Sequence, residues 1–167
     1  MGFYRHFRSG PLAYALSLPS SRREDAKLKE MAFEILRFLG VDHLAYKNVN
    51  DLPFGHQKLV ELARALAVKP DLILLDEPVA GLNRSETDEI LNSLEKLRET
   101  GVTILLVEHD MDFIMRISHR VSVLNFGRKI AEGSPQEVQK NQEVIEAYLG
   151  RGDIVHILER IRQQEGS

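Results

Sequence analysis

The apolar and polar positions divide the chain into helical and extended segments. Ser21-Arg-Arg-Glu24 reads as a capping box, a hydroxyl N-cap with a carboxylate at N3. Leu28, Ala32, Ile35, Leu36 and Leu39 then share one face at helical spacing, and Gly40 is a natural stop. A polar connection runs from Asp42 to Asp51. Gly55 precedes a second helix with the stripe Leu59, Ala63, Leu66 and Ala67, ended by Pro70. Leu72-Ile-Leu-Leu75 is a short continuous apolar run, the pattern of a strand buried on both faces of a parallel sheet. A third helix, capped by Ser85 and Asp88, carries Ile90, Leu91, Leu94 and Leu97, and Gly101 closes it. Val102-Thr-Ile-Leu-Leu-Val107 is a second buried run. Strand, helix, strand is a βαβ unit, for which a right-handed crossover is expected.

Beyond it, Met111 to Ile117 reads as a short helix. Val121 to Leu124 and Lys129 to Ala131 read as paired strands around the turn Asn125-Phe-Gly-Arg128. Ser134-Pro-Gln-Glu137 opens another helix, with Ser at the N-cap, Pro at N1 and Glu at N3. Ile154, Ile157, Leu158 and Ile161 return to helical spacing near the end. The fold class is α/β.

Length and composition narrow the picture. The chain has 167 residues, 43% of them apolar, which suits one domain, with or without a small appendage, and argues against disorder. A net charge of −3 argues against nucleic acid as the main partner, because a phosphate backbone calls for a basic face. The absence of cysteine excludes disulfides and Cys-ligated zinc. Arg5 and Arg8 before the apolar run Pro11 to Leu18 superficially resemble a short signal peptide. The run is short and no small-residue cleavage site follows, so a loop or helix edge packed on something is the preferred reading.

The chemistry concentrates at the ends of the two apolar runs. Asp76 and Glu77 follow the first, at the carboxyl end of a strand, where open α/β sheets place their ligands. One acid can serve Mg²⁺, directly or through water, and the other can polarise an attacking water. Two solvated acids in a turn is the other reading. His109 follows the second run in the same position and should come near Glu77 across neighbouring strands. The free N–H groups of the helix opened by Gly55 can make an anion site, to which Gln57 and Lys58 add polar reach; a helix start that binds only water is the other reading.

In order, these segments are Leu52-Pro-Phe-Gly-His-Gln57, Glu61-Leu-Ala-Arg-Ala-Leu66, Leu72-Ile-Leu-Leu-Asp-Glu-Pro78, Ala80-Gly-Leu-Asn83 and Val107-Glu-His-Asp110. The series resembles the ABC ATPase family: signature, Walker B strand, D-loop and switch histidine. The segments Ile117-Ser-His-Arg-Val121, Gly127, Ala131-Glu-Gly-Ser-Pro135 and Ala147-Tyr-Leu-Gly150 look like the ATP-binding subunits of branched-chain amino acid importers. The resemblance covers most of residues 21–150.

The resemblance implies a P-loop NTPase core, incomplete here, with part of the α-helical subdomain. Residues 1–69 would belong to that subdomain, 70–150 to the later half of the core, and 151–167 to a helical extension. Asp76 would serve Mg²⁺, Glu77 would be the catalytic base, and His109 would sense the γ-phosphate of ATP. Phe54, Gly55, His56 and Gln57 would approach the nucleotide of an opposite subunit, and Gly81, Leu82 and Asn83 would link the two sites. The implied partners are a second ABC ATPase subunit, identical or different, and transmembrane permease subunits, contacted near residues 3–20. The implied location is the cytoplasmic face of the cell membrane.

Several positions depart from the family pattern. Pro53 replaces the usual signature serine and removes a hydroxyl donor, Phe54 replaces the first glycine, His56 stands where glutamine is usual, and Asn83 replaces the commoner aspartate. No Gly-Lys dipeptide occurs, so the Gly-x-x-x-x-Gly-Lys-[Ser/Thr] loop that cradles phosphates is absent. The chain is therefore expected to be the carboxyl-terminal portion of such an ATPase, binding ATP poorly by itself. A non-catalytic pairing or regulatory module is the alternative. The ATPase heads of DNA-repair proteins share the motif order, but this chain has none of their coiled-coil arms.

Overall fold

The computed structural model describes residues 19–148. The elements in order are α1 (Pro19–Phe38), two 3₁₀ turns (Asp42–Leu44 and Val49–Asp51), α2 (Phe54–Leu66), β1 (Leu72–Asp76), α3 (Arg84–Glu99), β2 (Thr103–Val107), α4 (Met111–Ile117), β3 (Val121–Asn125), β4 (Arg128–Gly133), α5 (Pro135–Gln139) and α6 (Gln142–Tyr148). They fall into two compact units that divide between His109 and Asp110. The signal-like run and the pattern at 154–161 lie outside the described residues.

In the first unit α1 packs on α2, and α2 on α3. Leu59, Leu62 and Ala63 of α2 and Ile90, Leu91, Leu94 and Leu97 of α3 are buried. The α2 stripe therefore runs through Leu62, and Leu66 is only half-buried. α1 begins by Pro19, ahead of the expected Ser21 capping box, so Ser21 lies within the helix and not at its cap. α1 does stop where Gly40 predicts. Gly40 has φ 75°, its N–H reaches Arg37 O at 3.0 Å, and Val41 N–H reaches Leu36 O at 2.9 Å. This pair of bonds is the Schellman closure, which needs the left-handed residue that glycine supplies without a Cβ penalty.

α3 corrects a second expectation. Its N-cap is Asn83, not Ser85 or Asp88: Asn83 Oδ1 accepts the Glu86 N–H at 3.1 Å, and Glu86 Oε2 accepts the Asn83 N–H at 3.0 Å. This reciprocal box satisfies two N–H groups that the first helical turn leaves unpaired.

β1 and β2 pair in parallel, Leu72 with Thr103 through Asp76 with Val107. The expectation that both strands are buried on both faces does not hold. Ile73 is buried, whereas Leu72, Leu74, Leu105 and Val107, which alternate onto the opposite face, are exposed. Side chains alternate faces along a strand, so one covered face yields this pattern. Leu74 and Leu105 face each other in the register at 68% and 58% exposure.

Among the described residues, the second unit is the β3–β4 hairpin with three short helices. Its turn residues Phe126 and Gly127 both have positive φ, 45° and 77°, as a tight two-residue hairpin requires. Val121 and Val123 of β3, Val138 of α5 and Val144 of α6 are buried. α5 starts with the expected box of Ser134, Pro135 and Glu137.

Candidate functional site

The register brings Asp76 and Val107 level at the carboxyl ends of the parallel strands. The ladder then continues for one more bond, because the Glu77 N–H donates to Val107 O at 2.9 Å. Glu77 makes that bond with φ 45°, a left-handed conformation unusual for a residue with a Cβ. Outliers of this kind cluster at functional sites and cost about 1–3 kcal/mol. The chain next turns through Val79–Leu82, with Ala80 N–H on Glu77 O and Leu82 N–H on Val79 O, both at 3.2 Å, and Gly81 at φ 78°.

On the β2 side, His109 Nδ1 stands 3.2 Å from Glu77 Oε1. Both side chains are more than half exposed, so the pair is open to water and to a ligand. Glu108 lies beneath it. Its side chain is 1% exposed, and its two carboxylate oxygens accept the Val79 N–H at 3.1 Å and the His109 N–H at 3.0 Å. One buried carboxylate thus ties the turn after β1 to the backbone that carries the histidine.

Asp76 is exposed at the end of β1. Among the described residues no group of three or more His, Cys, Asp or Glu is placed to hold a metal. A single accessible carboxylate fits Mg²⁺, which takes one or two carboxylates and completes its shell with water and substrate phosphates.

The start of α2 differs from the sequence expectation. The helix starts at Phe54, with Pro53 as an N-cap that makes no side-chain bond, so Gly55 lies inside the first turn. The Gly55 N–H is not free: it donates to Glu86 Oε1 at 3.2 Å. The Gln57 side chain folds back, its Nε2 donating to Leu52 O at 2.9 Å, and Lys58 Nζ sits 5.5 Å above the Phe54 ring. His56 Nε2 is 3.8 Å from Glu89, and its Nδ1 is buried without a partner. The Phe54 ring lies against Gly81, 3.4 Å from where a Cβ would stand. Phe54 is therefore joined to the turn after β1 and Gly55 to the first turn of α3, whose cap closes that segment.

Sequence reasoning missed Glu108 and Glu86. Glu86 was detectable, since it stands three residues after Asn83, the spacing of a capping box. Glu108 carries no such signal, because its role depends on the register of β2 against β1.

The "ABC transporter" family model matches residues 10–80, and the model "Branched-chain amino acid ATP-binding cassette transporter" matches residues 128–154. The chain is 38% identical over 148 residues to the high-affinity branched-chain amino acid transport ATP-binding protein BraF of Pseudomonas aeruginosa, covering 88% of this chain and 58% of BraF. The chain belongs to the ABC transporter ATP-binding family. The corresponding protein LivG of Escherichia coli is 37% identical over the same shares of each chain. The ADP conformation of an ATP-binding cassette from an ABC transporter superimposes with a TM-score of 0.70 at 35% identity, over 75% of this chain and 51% of that one. The ABC chain therefore has a partial P-loop NTPase core and spans about three-fifths of the curated relatives it matches. Among the described residues no helix is long and apolar enough to cross a membrane.

Proposed function

We propose that this chain carries the water-activating end of an ATPase site in an ABC importer that drives branched-chain amino acids through a membrane permease. The Glu77–His109 pair, 3.2 Å apart beyond a parallel strand pair, carries the reading. A carboxylate there can accept a proton from an attacking water, and a histidine within reach can hold that carboxylate and face a terminal phosphate. Asp76 would hold Mg²⁺, which supplies charge stabilisation to the transferring phosphoryl group. Phe54, Gly55, His56 and Gln57 would face the ATP of a second ABC subunit, and Gly81, Leu82 and Asn83 would connect the two sites. Residues 1–69 would serve as the helical subdomain that meets the permease, 70–150 as the core, and 151–167 as an extension. The work would take place on the cytoplasmic face of the cell membrane.

A second reading is a non-catalytic pairing module. One experiment separates the two. The phosphate-loop segment of BraF is joined ahead of this chain, and ATP turnover is compared with that of the same chimera carrying Glu77→Gln. Turnover that falls about 100-fold or more in the variant, with ATP binding retained, is expected for a catalytic base. A folded chimera that binds ATP without turnover, or one indifferent to Glu77→Gln, would establish the non-catalytic reading. The chain by itself is expected to turn over no ATP.

A further inference from the structure

The carboxylate of Glu86 joins two segments that the proposed function uses separately. Its Oε2 accepts the Asn83 N–H at 3.0 Å, closing the cap of α3, and its Oε1 accepts the Gly55 N–H at 3.2 Å, in the first turn of α2. A helix cap needs only the first of these bonds. The second bond spans 31 positions of sequence. It also fixes what can stand at Gly55. A Cβ there would lie 2.9 Å from Glu86 Cγ and 3.0 Å from Glu86 Cβ, so glycine is required by this side chain and not by a left-handed φ. The neighbouring contact has the same sense. The Phe54 ring packs on Gly81, where a Cβ would lie 3.4 Å from it. Two contacts, one polar and one apolar, therefore hold the first two residues of α2, Gly55 to the first turn of α3 and Phe54 to the turn that follows β1.

We propose that Glu86 is a positioning residue. It sets the first turn of α2 against the Gly81–Asn83 segment, so that both present one preformed surface to the nucleotide of a second subunit. The inference rests on the proposed role of α2 in trans. The amide that Glu86 occupies is one of the N–H groups that a helix start offers to an anion. A phosphate at this end of α2 would meet a turn already aligned with the neighbouring segment. Release of the carboxylate would remove the one hydrogen bond described between the Gly55 amide and α3.

The whole chain is compared with Glu86→Gln, which keeps one acceptor oxygen, and with Glu86→Ala. Two readouts are taken: hydrogen exchange at the Gly55 amide, and association with BraF as ATP is raised in EDTA. In Glu86→Ala, loss of a charged acceptor is expected to speed Gly55 exchange about tenfold and to raise the ATP needed for half-maximal association about tenfold. Glu86→Gln should fall between the two at an unchanged thermal midpoint, which a merely structural loss would not produce. Gly55→Ala should disrupt α2 in the parent and less so beside Glu86→Ala, which removes the contact at Cγ but keeps the one at Cβ. Unchanged Gly55 exchange, or faster exchange with unchanged ATP dependence, overturns the positioning role and leaves the proposed function standing. No ATP-dependent association by the unsubstituted chain overturns both.

Discussion

Glu77 and His109 approach to 3.2 Å from different backbone situations. His109 leaves β2 with its N–H held by the carboxylate of the preceding residue, whereas Glu77 leaves β1 through a left-handed turn at φ 45°. That turn directs the Glu77 carboxylate toward the histidine while its N–H stays on Val107 O. The strain is local, so it should be recoverable by mutation. Glycine adopts this conformation freely, whereas alanine retains a Cβ penalty of roughly 1–2 kcal/mol. Glu77→Gly is therefore expected to be more stable than Glu77→Ala by about 1 kcal/mol in urea unfolding. Equal stability of the two would mean that the left-handed turn carries no strain.

Glu108 should matter more to stability than either exposed partner. Its carboxylate is 1% exposed and accepts two backbone N–H groups, on Val79 and His109. Glu108→Ala leaves both donors without it and is expected to cost about 1–3 kcal/mol. Glu108→Gln keeps one acceptor and should cost less. Denaturant melts of the three proteins check this order, and an Ala variant as stable as the parent would refute it.

The open face of the β1–β2 pair makes a prediction about solution behaviour. Leu72, Leu74, Leu105 and Val107 form adjacent exposed apolar positions on that face. Contiguous exposed apolar surface promotes association. The chain is expected to self-associate with rising concentration in sedimentation equilibrium, and Leu74→Lys with Leu105→Glu to remain monomeric. The doubly charged variant should keep the parent's circular dichroism, because the substituted side chains contact solvent. Concentration-independent mass for the parent would contradict this.

Much of this arrangement was legible in the residues. Continuous apolar runs ended by Asp76-Glu77 and by Glu108-His109 located both strands and the corner between them, since strand length and terminal chemistry are local properties. Gly40, Gly101 and Ser134 marked helix boundaries for the same reason. What stayed hidden depended on partners remote in sequence. The exposed faces of Leu74 and Leu105 depend on what covers the sheet, which an apolar run cannot report. The occupied amide of Gly55 depends on Glu86, and Glu108 acquires its role only when β2 is set beside β1. The α1 start failed for a different reason: a capping-box pattern at Ser21 also fits within a helix that begins earlier.

In the second unit, acid should loosen the hairpin before neutral conditions show any change. The Glu132 carboxyl is held below its ordinary value of 4.5, first by the hydrogen bond from Lys129 and then by that from Arg120. Glu137 is held below the same value, first by the Ser134 backbone N–H at 2.8 Å and then by the Ser134 hydroxyl at 2.9 Å. A carboxyl with a lowered folded value binds fewer protons in the folded than in the unfolded chain. Its contribution is therefore fully present above 4.5 and is lost as the pH falls through the lowered folded value. Both groups lie at the surface, so solvent screening keeps the effect small and salt-sensitive. The β3–β4 amides, followed by NMR during melts, should show a midpoint flat from neutral pH to about 5 and falling below about 4.5. Glu132→Gln should lower the neutral-pH midpoint slightly and flatten the acid decline, because it removes a group that titrates differently in the two states. An acid decline as steep in Glu132→Gln combined with Glu137→Gln as in the parent would show that these two carboxylates do not carry it.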